Sequence, residues 1–178
     1  MVISTERVDL HPLPLPVLEA LLARDAGRAD ALVPFRVRDD SFVDDDHVLG
    51  LRAAQLRADP DELPWLYRAA VLRTTGAVVA RAGFHAPPDT AGTVEIGYRV
   101  ADQHRRRGFA TEIVAAMLSW ARASGAARCL GSTGPGNLAS QAVLTRLGFV
   151  RTGEQIDEVD GLEWVFTLEP LPGGGRLR

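Results

Sequence analysis

The sequence predicts a single α/β domain, and three observations carry that prediction. The stretch Thr93-Val94-Glu95-Ile96-Gly97-Tyr98-Arg99-Val100 alternates strictly, which puts Val94, Ile96, Tyr98 and Val100 on one face of a strand and Glu95, Gly97 and Arg99 on the other. Gly108 to Ser124 then places Ala110, Ile113, Val114, Met117, Leu118 and Ala121 at helical spacing along one stripe. Two apolar runs, Phe149 to Ile156 and Leu162 to Leu168, flank Asp160-Gly161, a dipeptide suited to a hairpin turn.

The remaining elements follow in order. Val8-Asp9-Leu10 reads as a short strand, Pro16 to Ala23 as a helix and Val48 to Leu56 as another, with the acidic run Asp44-Asp45-Asp46 in a solvated loop between them. Tyr67 to Arg73 and Ala77 to Phe84 read as strands joined by a turn at Thr74-Thr75-Gly76. Pro87-Pro88-Asp89 marks a loop before the alternating strand. After the long helix, Ala127 to Ser132 is a short strand, and Leu138 to Leu147 is a helix stopped by Gly148. The stretch 170–178, rich in Pro and Gly, is expected to be a flexible tail, leaving 1–169 as one domain.

Composition narrows the function classes. The chain has 178 residues, a formal net charge of −3 and 46% hydrophobic residues, enough for a sizeable core. All 20 Lys+Arg positions are Arg. The slight acidity argues against a general nucleic-acid binder, and no apolar run approaches the roughly 20 residues that span a bilayer. The first residues lack a basic segment followed by an apolar one, so a cytoplasmic address is expected, with no membrane partner. Cys129 has no second Cys to pair with and sits in an apolar stretch, as a buried small residue would. The four His are isolated in sequence, so no metal site is expected. Trp65, Trp120 and Trp164 read as core or cleft wall.

The segment that carries chemistry is Val100 to Glu112, where the alternating strand meets the long helix through a short basic turn. A helix N-terminus offers unpartnered N–H groups and a positive dipole end, and it binds phosphate readily. Gly108 lets the backbone approach an anion, Ala110 keeps the first turn uncrowded, and Arg105, Arg106 and Arg107 add charge complementary to a pyrophosphate. The alternatives for the three Arg are an ordinary solvated cluster and a nucleic-acid contact, the latter without aromatic interleaving or another basic stripe to support it.

Arg105-x-x-Gly108-x-Ala110 at this strand-to-helix turn resembles the signature of the Gcn5-related N-acetyltransferases (GNAT), Gln/Arg-x-x-Gly-x-Gly/Ala. The order around it agrees: a Glu-Ile-Gly-Tyr-Arg-Val strand before it, a long helix after it, and then Asn137-Leu138-Ala139-Ser140 leading to Leu147-Gly148-Phe149. The likeness covers about residues 67–168 and points to the branch that acetylates ribosomal-protein N-termini and related acceptors. It implies a mixed, mostly antiparallel sheet of about six or seven strands with helices on both faces, splayed to form a cofactor cleft. It further implies that 66–169 is the cofactor-binding core and 1–65 the variable acceptor-side part.

By the same resemblance, acetyl-CoA would be the cosubstrate and an amine the acceptor, in a monomer or homodimer. Val100 would bond the pantetheine arm through its backbone, Arg105 to Ala110, with Phe109 among them, would hold the pyrophosphate, and Asn137 would contact the cofactor arm. Glu95 is the candidate general base, since an α-amino group of pKa about 7.7–8.0 or a Lys of about 10.4 must lose a proton before it attacks. Its competing roles are a pair with Arg99 or plain solvent exposure. The family often carries a Tyr seven residues after the Asn as acid for the leaving thiolate, and this sequence has Leu144 there. That role then falls to Ser140 or to water, since a thiol of pKa about 8.5 leaves with little help. Asn137 also fits a plain helix N-cap.

Two rival classes are weighed against this reading. Gly134-Pro135-Gly136-Asn137-Leu138-Ala139 fits Gly-x-Gly-x-x-Ala with acidic Glu154 about 20 residues on, as in dinucleotide-binding folds. Too few residues follow it to build the further βαβ units such a fold needs. A non-catalytic acetyl-CoA-binding module is the other rival, suggested by the missing Tyr.

Overall fold

A computed structural model describes residues 1–37, 42 and 46–172. Its strands are β1 (Ile3–Ser4), β2 (Val8–Pro12), β3 (Arg68–Leu72), β4 (Val78–Phe84), β5 (Thr93–Val100), β6 (Arg128–Thr133), β7 (Val150–Asp157) and β8 (Gly161–Leu168). Its α-helices are α1 (Leu15–Leu22), α2 (Ala26–Leu32), α3 (Asp46–Ala58), α4 (Phe109–Ala123) and α5 (Leu138–Arg146). The strands form one open sheet in the order β1-β2-β3-β4-β5-β6-β8-β7. Every pairing is antiparallel except that of β5 with β6.

Two apolar clusters lie on the two faces of the sheet. Ile113, Val114, Met117 and Leu118 of α4 pack with Val94, Ile96, Phe84 and Cys129 on one face, and Leu144 of α5 joins them. Val17, Leu18 and Leu21 of α1 and Leu49, Ala53 and Leu56 of α3 pack with Ala69, Val71 and Val78 on the other. Strand β4 is buried over its whole length because it is covered from both sides, so its side chains do not alternate between core and solvent. Trp65, Phe84 and Trp120 form an edge-to-face and stacked cluster inside the first layer.

The mixed, mostly antiparallel sheet with helices on both faces agrees with the sequence expectation, and it has eight strands rather than six or seven. The difference lies at the N-terminal edge. Strand β1 is two residues long and pairs Ile3 with Leu10, too short to leave an alternating pattern. Helix α2 was also not foreseen: it is seven residues long, buries Ala29, and is opened by Asp25, whose side chain accepts a hydrogen bond from the Arg28 N–H. Most of the Asp44-Asp45-Asp46 run lies outside the described residues, while Asp46 begins α3 and pairs with Arg24 at 2.8 Å. Of the expected tail, Leu171 is buried and its N–H donates to the Ala127 carbonyl at 3.1 Å. Among the described residues no helix is long and apolar enough to cross a membrane.

Candidate active site

The site begins where two parallel strands part. Strands β5 and β6 pair over Thr93–Glu95 with Arg128–Leu130, and beyond this β6 continues to Thr133 bonded along its other edge to β8. The β5 edge past Glu95 is therefore open toward the gap. His85 N–H donates to the Glu95 carbonyl and Ala101 N–H to the Val79 carbonyl, which assigns the odd-numbered backbone groups of β5 to the β4 side. Alternation along the strand turns the backbone groups of Tyr98 and Val100 into the gap.

On the face of the sheet that carries α4 and α5, a cavity of about 950 Å³ opens beneath this gap. Of the residues expected to hold the cofactor, Val100, Arg105, Arg106, Gly108, Phe109, Ala110 and Asn137 all line it, as does Ser140. Arg107 does not; its side chain is exposed and its carbonyl accepts a 2.8 Å bond from Arg7 Nη1. A short 3-10 helix, Asp102–His104, leads from β5 into the basic turn. Arg106 (φ 59°) and Gly108 (φ 82°) are both left-handed, so the backbone curls around a small concavity at the start of α4. Such turns collect N–H groups into anion-binding nests, and a left-handed non-Gly residue costs about 1–2 kcal/mol. The N-cap of α4 is Gly108, which has no side chain to bond the first-turn N–H groups.

The Arg at this turn are partly committed. Arg105 donates through Nε to the Val100 carbonyl at 3.2 Å and pairs through Nη2 with Asp102 at 2.6 Å. The Val100 carbonyl thus already accepts one hydrogen bond, while the Val100 N–H turns into the gap. Asn137 is the N-cap of α5, accepting from the Ser140 N–H at 3.1 Å through Oδ1. The cap uses the amide oxygen alone. Ser140 Oγ lies 2.9 Å from Tyr98 Oη across the mouth of the gap, and Tyr98 Oη also donates to the Ser140 carbonyl at 3.3 Å. Burial pushes the Tyr98 hydroxyl above its ordinary pKa, against the opposing bond to Ser140. Leu144 is buried in the core with a methyl group against Gly131, so no hydroxyl stands there.

Glu95 is on the opposite face. Its Oε1 accepts a 2.6 Å bond from Ser132 Oγ of β6, and its Oε2 lies 3.6 Å from His85 Nδ1. The expected competitor Arg99 is not among these partners. Ser132 accepts in turn from Gln155 at 3.2 Å, and Gln155 also donates to Glu163 at 3.1 Å. Burial lowers the His85 pKa below 6.5, and Arg52 pushes the same way, while Glu95 and Asp157 push against them. The imidazole lies close to Gly97, where a Cβ would sit 3.1 Å from Nε2, a tight contact that the ring would have to ease. Arg52 and Gln55 of α3 both donate to the His85 carbonyl, at 2.7 and 2.8 Å. Burial raises the pKa of the Cys129 thiol strongly. Among the described residues no three His, Cys, Asp or Glu come together as metal ligands.

Tyr98, His85, Ser132 and Arg7 are thus site neighbours that sequence reasoning missed. Tyr98 reads as an apolar-face strand residue, and His85 and Arg7 stand alone in sequence. The one available signal was the position of Tyr98, on the same face of the strand as Val100 and two residues before it.

The GNAT acetyltransferase domain model matches residues 35–150. A curated relative, the uncharacterized N-acetyltransferase YjdG of Bacillus subtilis, is 34% identical over 74 residues, 41% of this chain and 44% of that protein. The matched stretch therefore spans less than half the length of that relative. The ribosomal-protein-S5-alanine acetyltransferase from Vibrio fischeri superposes with a TM-score of 0.66 at 15% identity over 96% of this chain and 97% of its own. The microcin C7 self-immunity acetyltransferase MccE, solved with acetyl-CoA and AMP, gives 0.65 at 16% identity over 92% and 93%. At these identities the likeness is one of fold.

Proposed function

The chain belongs to the GNAT acetyltransferase family, and from that premise we propose that it moves an acetyl group from acetyl-CoA directly to an amine. The observation that carries the reading is the gap after Glu95, with the nest of the basic turn and its cavity on one face of the sheet and the Glu95 carboxylate on the other. A cofactor whose pyrophosphate lies against Arg105–Ala110 can extend its arm along the open β5 edge, past the Val100 N–H and Asn137, and bring its thioester into the gap. The acceptor then approaches from the opposite face.

In this reading Glu95 takes a proton from the ammonium form of the acceptor, and the free amine attacks the thioester carbonyl carbon. Backbone N–H groups of β5 directed into the gap hold the oxyanion that forms. The attacking nitrogen loses its second proton to solvent as the carbon–sulfur bond breaks. The thiolate of coenzyme A takes the hydroxyl proton of Ser140, which Tyr98 can replace through its 2.9 Å bond and regain from solvent. The products are the acetylated amine and free coenzyme A. The Tyr98–Ser140 pair supplies the hydroxyl that Leu144 does not, which favours catalysis over a binding-only module. The acceptor is an amine such as a protein N-terminus or a small molecule.

The test has two stages. Acetyl-CoA should raise the melting temperature and NAD should not, since a ligand that binds the folded state stabilises it. Thiol release should then follow when peptides with free α-amino groups, polyamines and aminoglycosides are offered in turn. Stabilisation by NAD and none by acetyl-CoA overturns the reading; stabilisation by acetyl-CoA without thiol release for any amine leaves a binding module.

A further inference from the structure

The N-terminal edge of the sheet is tied to the basic turn by one side chain. Arg7 lies between β1 and β2, far in sequence from the turn, yet its Nη1 donates to the Arg107 carbonyl at 2.8 Å and its guanidinium stacks 4.3 Å above the Phe109 ring. Its Nε and Nη2 both meet Glu112 Oε2 at 2.6 Å. The other carboxylate oxygen of Glu112 accepts from the Arg7 N–H at 2.9 Å and from Thr5 Oγ1 at 2.6 Å. Burial alone would raise the Glu112 pKa, but these donors and the Arg7 charge outweigh it and lower it.

Two consequences follow for an anion bound at the turn. The peptide between Arg107 and Gly108 is planar and trans, so its N–H points opposite to its carbonyl. Holding the Arg107 carbonyl on Arg7 therefore turns the Gly108 N–H away from Arg7, and Gly108 lines the cavity whereas Arg7 does not. Glu112 sits in the first turn of α4, where its negative charge competes with a pyrophosphate for the same positive helix end. Arg7 and Thr5 engage both of its oxygens and neutralise it.

We propose that Arg7 is a positioning residue for the pyrophosphate of acetyl-CoA: it fixes the 107–108 peptide plane so that the Gly108 N–H faces the cavity, and it cancels the Glu112 charge beside the bound anion. The proposal rests on the acetyl-CoA reading above and assigns to the N-terminal segment a share in cofactor binding. A guanidinium is suited to the task because it can fork across the carboxylate, reach a carbonyl and stack on a ring at once.

Calorimetric titration of acetyl-CoA into four proteins tests this: wild type, Arg7→Ala, Arg7→Lys and Arg7→Ala/Glu112→Gln. Arg7→Ala should weaken binding by about 10- to 100-fold, the worth of a charge-assisted contact. Arg7→Lys should recover part of it. The double variant should bind acetyl-CoA more tightly than Arg7→Ala while melting no higher, because neutralising Glu112 relieves repulsion without rebuilding the tie. A purely structural strap predicts affinity and melting temperature falling together with no recovery in the double variant, and that result overturns the proposal. Should Arg7→Ala not fold, Arg7→Gln, which removes the charge, takes its place: affinity equal to wild type at equal melting temperature is equally fatal. Wild-type protein that fails to bind acetyl-CoA removes the functional reading itself, whereas wild-type binding with unchanged affinity in Arg7→Ala removes this proposal alone.

Discussion

The two sides of the gap beside β5 are built from different materials. The side proposed for the cofactor is largely backbone, with left-handed Arg106 and Gly108, the start of α4 and the open edge of β5, and carries the Tyr98–Ser140 hydroxyl pair. The opposite side is side chains: Glu95 bonded to Ser132 and facing His85, with Gln155 and Glu163 behind. In the proposed reaction the backbone devices meet what all acyl-CoA molecules share, a diphosphate and an extended amide chain. The proposed reaction assigns removal of the acceptor's proton to the side chains around Glu95. Damage to the first should therefore show in cofactor affinity, and damage to the second in turnover.

Glu95→Gln is the strongest way to break this division. The amide keeps the shape and can still accept from Ser132 Oγ, but it cannot take a proton. Turnover with a responsive amine should fall by about 100-fold or more, the usual worth of a general base, with acetyl-CoA affinity within about twofold of wild type. Steady-state kinetics beside calorimetry reads both quantities. Unchanged turnover would remove the base from Glu95, and a matched fall in acetyl-CoA affinity would show that the two sides do not separate.

Gly108→Ala probes the other side with a smaller expected effect. At φ 82° a Cβ is strained whatever the space around it, and it would stand 3.4 Å from Arg7 Nη2, at the edge of ordinary contact. Strain of about 1–2 kcal/mol in the binding-competent turn corresponds to a rise of roughly tenfold in KM for acetyl-CoA. The kcat at saturating cofactor should change little. A fall in kcat at constant KM would contradict the assignment.

How far the sequence revealed each side follows from the same contrast. Backbone devices leave local signatures: Gly108 two residues before Ala110, strict alternation before it and an apolar stripe after it, all within one stretch of chain. The strand-to-helix turn, the cavity-lining residues and the sheet class were legible for that reason. Side-chain networks assemble from distant elements. Ser132 and His85 meet Glu95 from β6 and from the end of β4, Gln155 reaches Ser132 from β7, and nothing in the spacing of these residues reports the meeting. Arg7 is the extreme case, since it reads as one charged residue near a strand and yet contacts the turn from about a hundred positions away. Helix α2 and strand β1 escaped for a simpler reason: seven and two residues are too few to show a period.

The smallest expected effect is on pH dependence, and it separates His85 from the other depressed imidazole, His11. Burial lowers both below the ordinary 6.5. For His11 burial is aided by Arg68 and opposed by Asp9, and for His85 it is aided by Arg52 and opposed by Glu95 and Asp157. A group whose folded pKa lies under its unfolded value adds no pH dependence above pH 6.5, where both states are neutral. As pH falls below 6.5 the unfolded chain takes up its protons first, so stability declines until the folded value is passed. The lowered carboxyls Asp89, Glu112 and Asp157 act in a separate, more acidic window. Urea denaturation between pH 7.5 and 5.5 should show this loss, reduced in His11→Gln and in His85→Gln alike. Turnover should distinguish the two. Protonating an imidazole 3.6 Å from Glu95 places a positive charge beside the proposed base, so the acidic limb of the rate profile should shift in His85→Gln and stay in place in His11→Gln. Identical rate profiles for the two variants would mean that His85 stands beside Glu95 without influencing it, and the side-chain half of the site would shrink to Glu95 and Ser132.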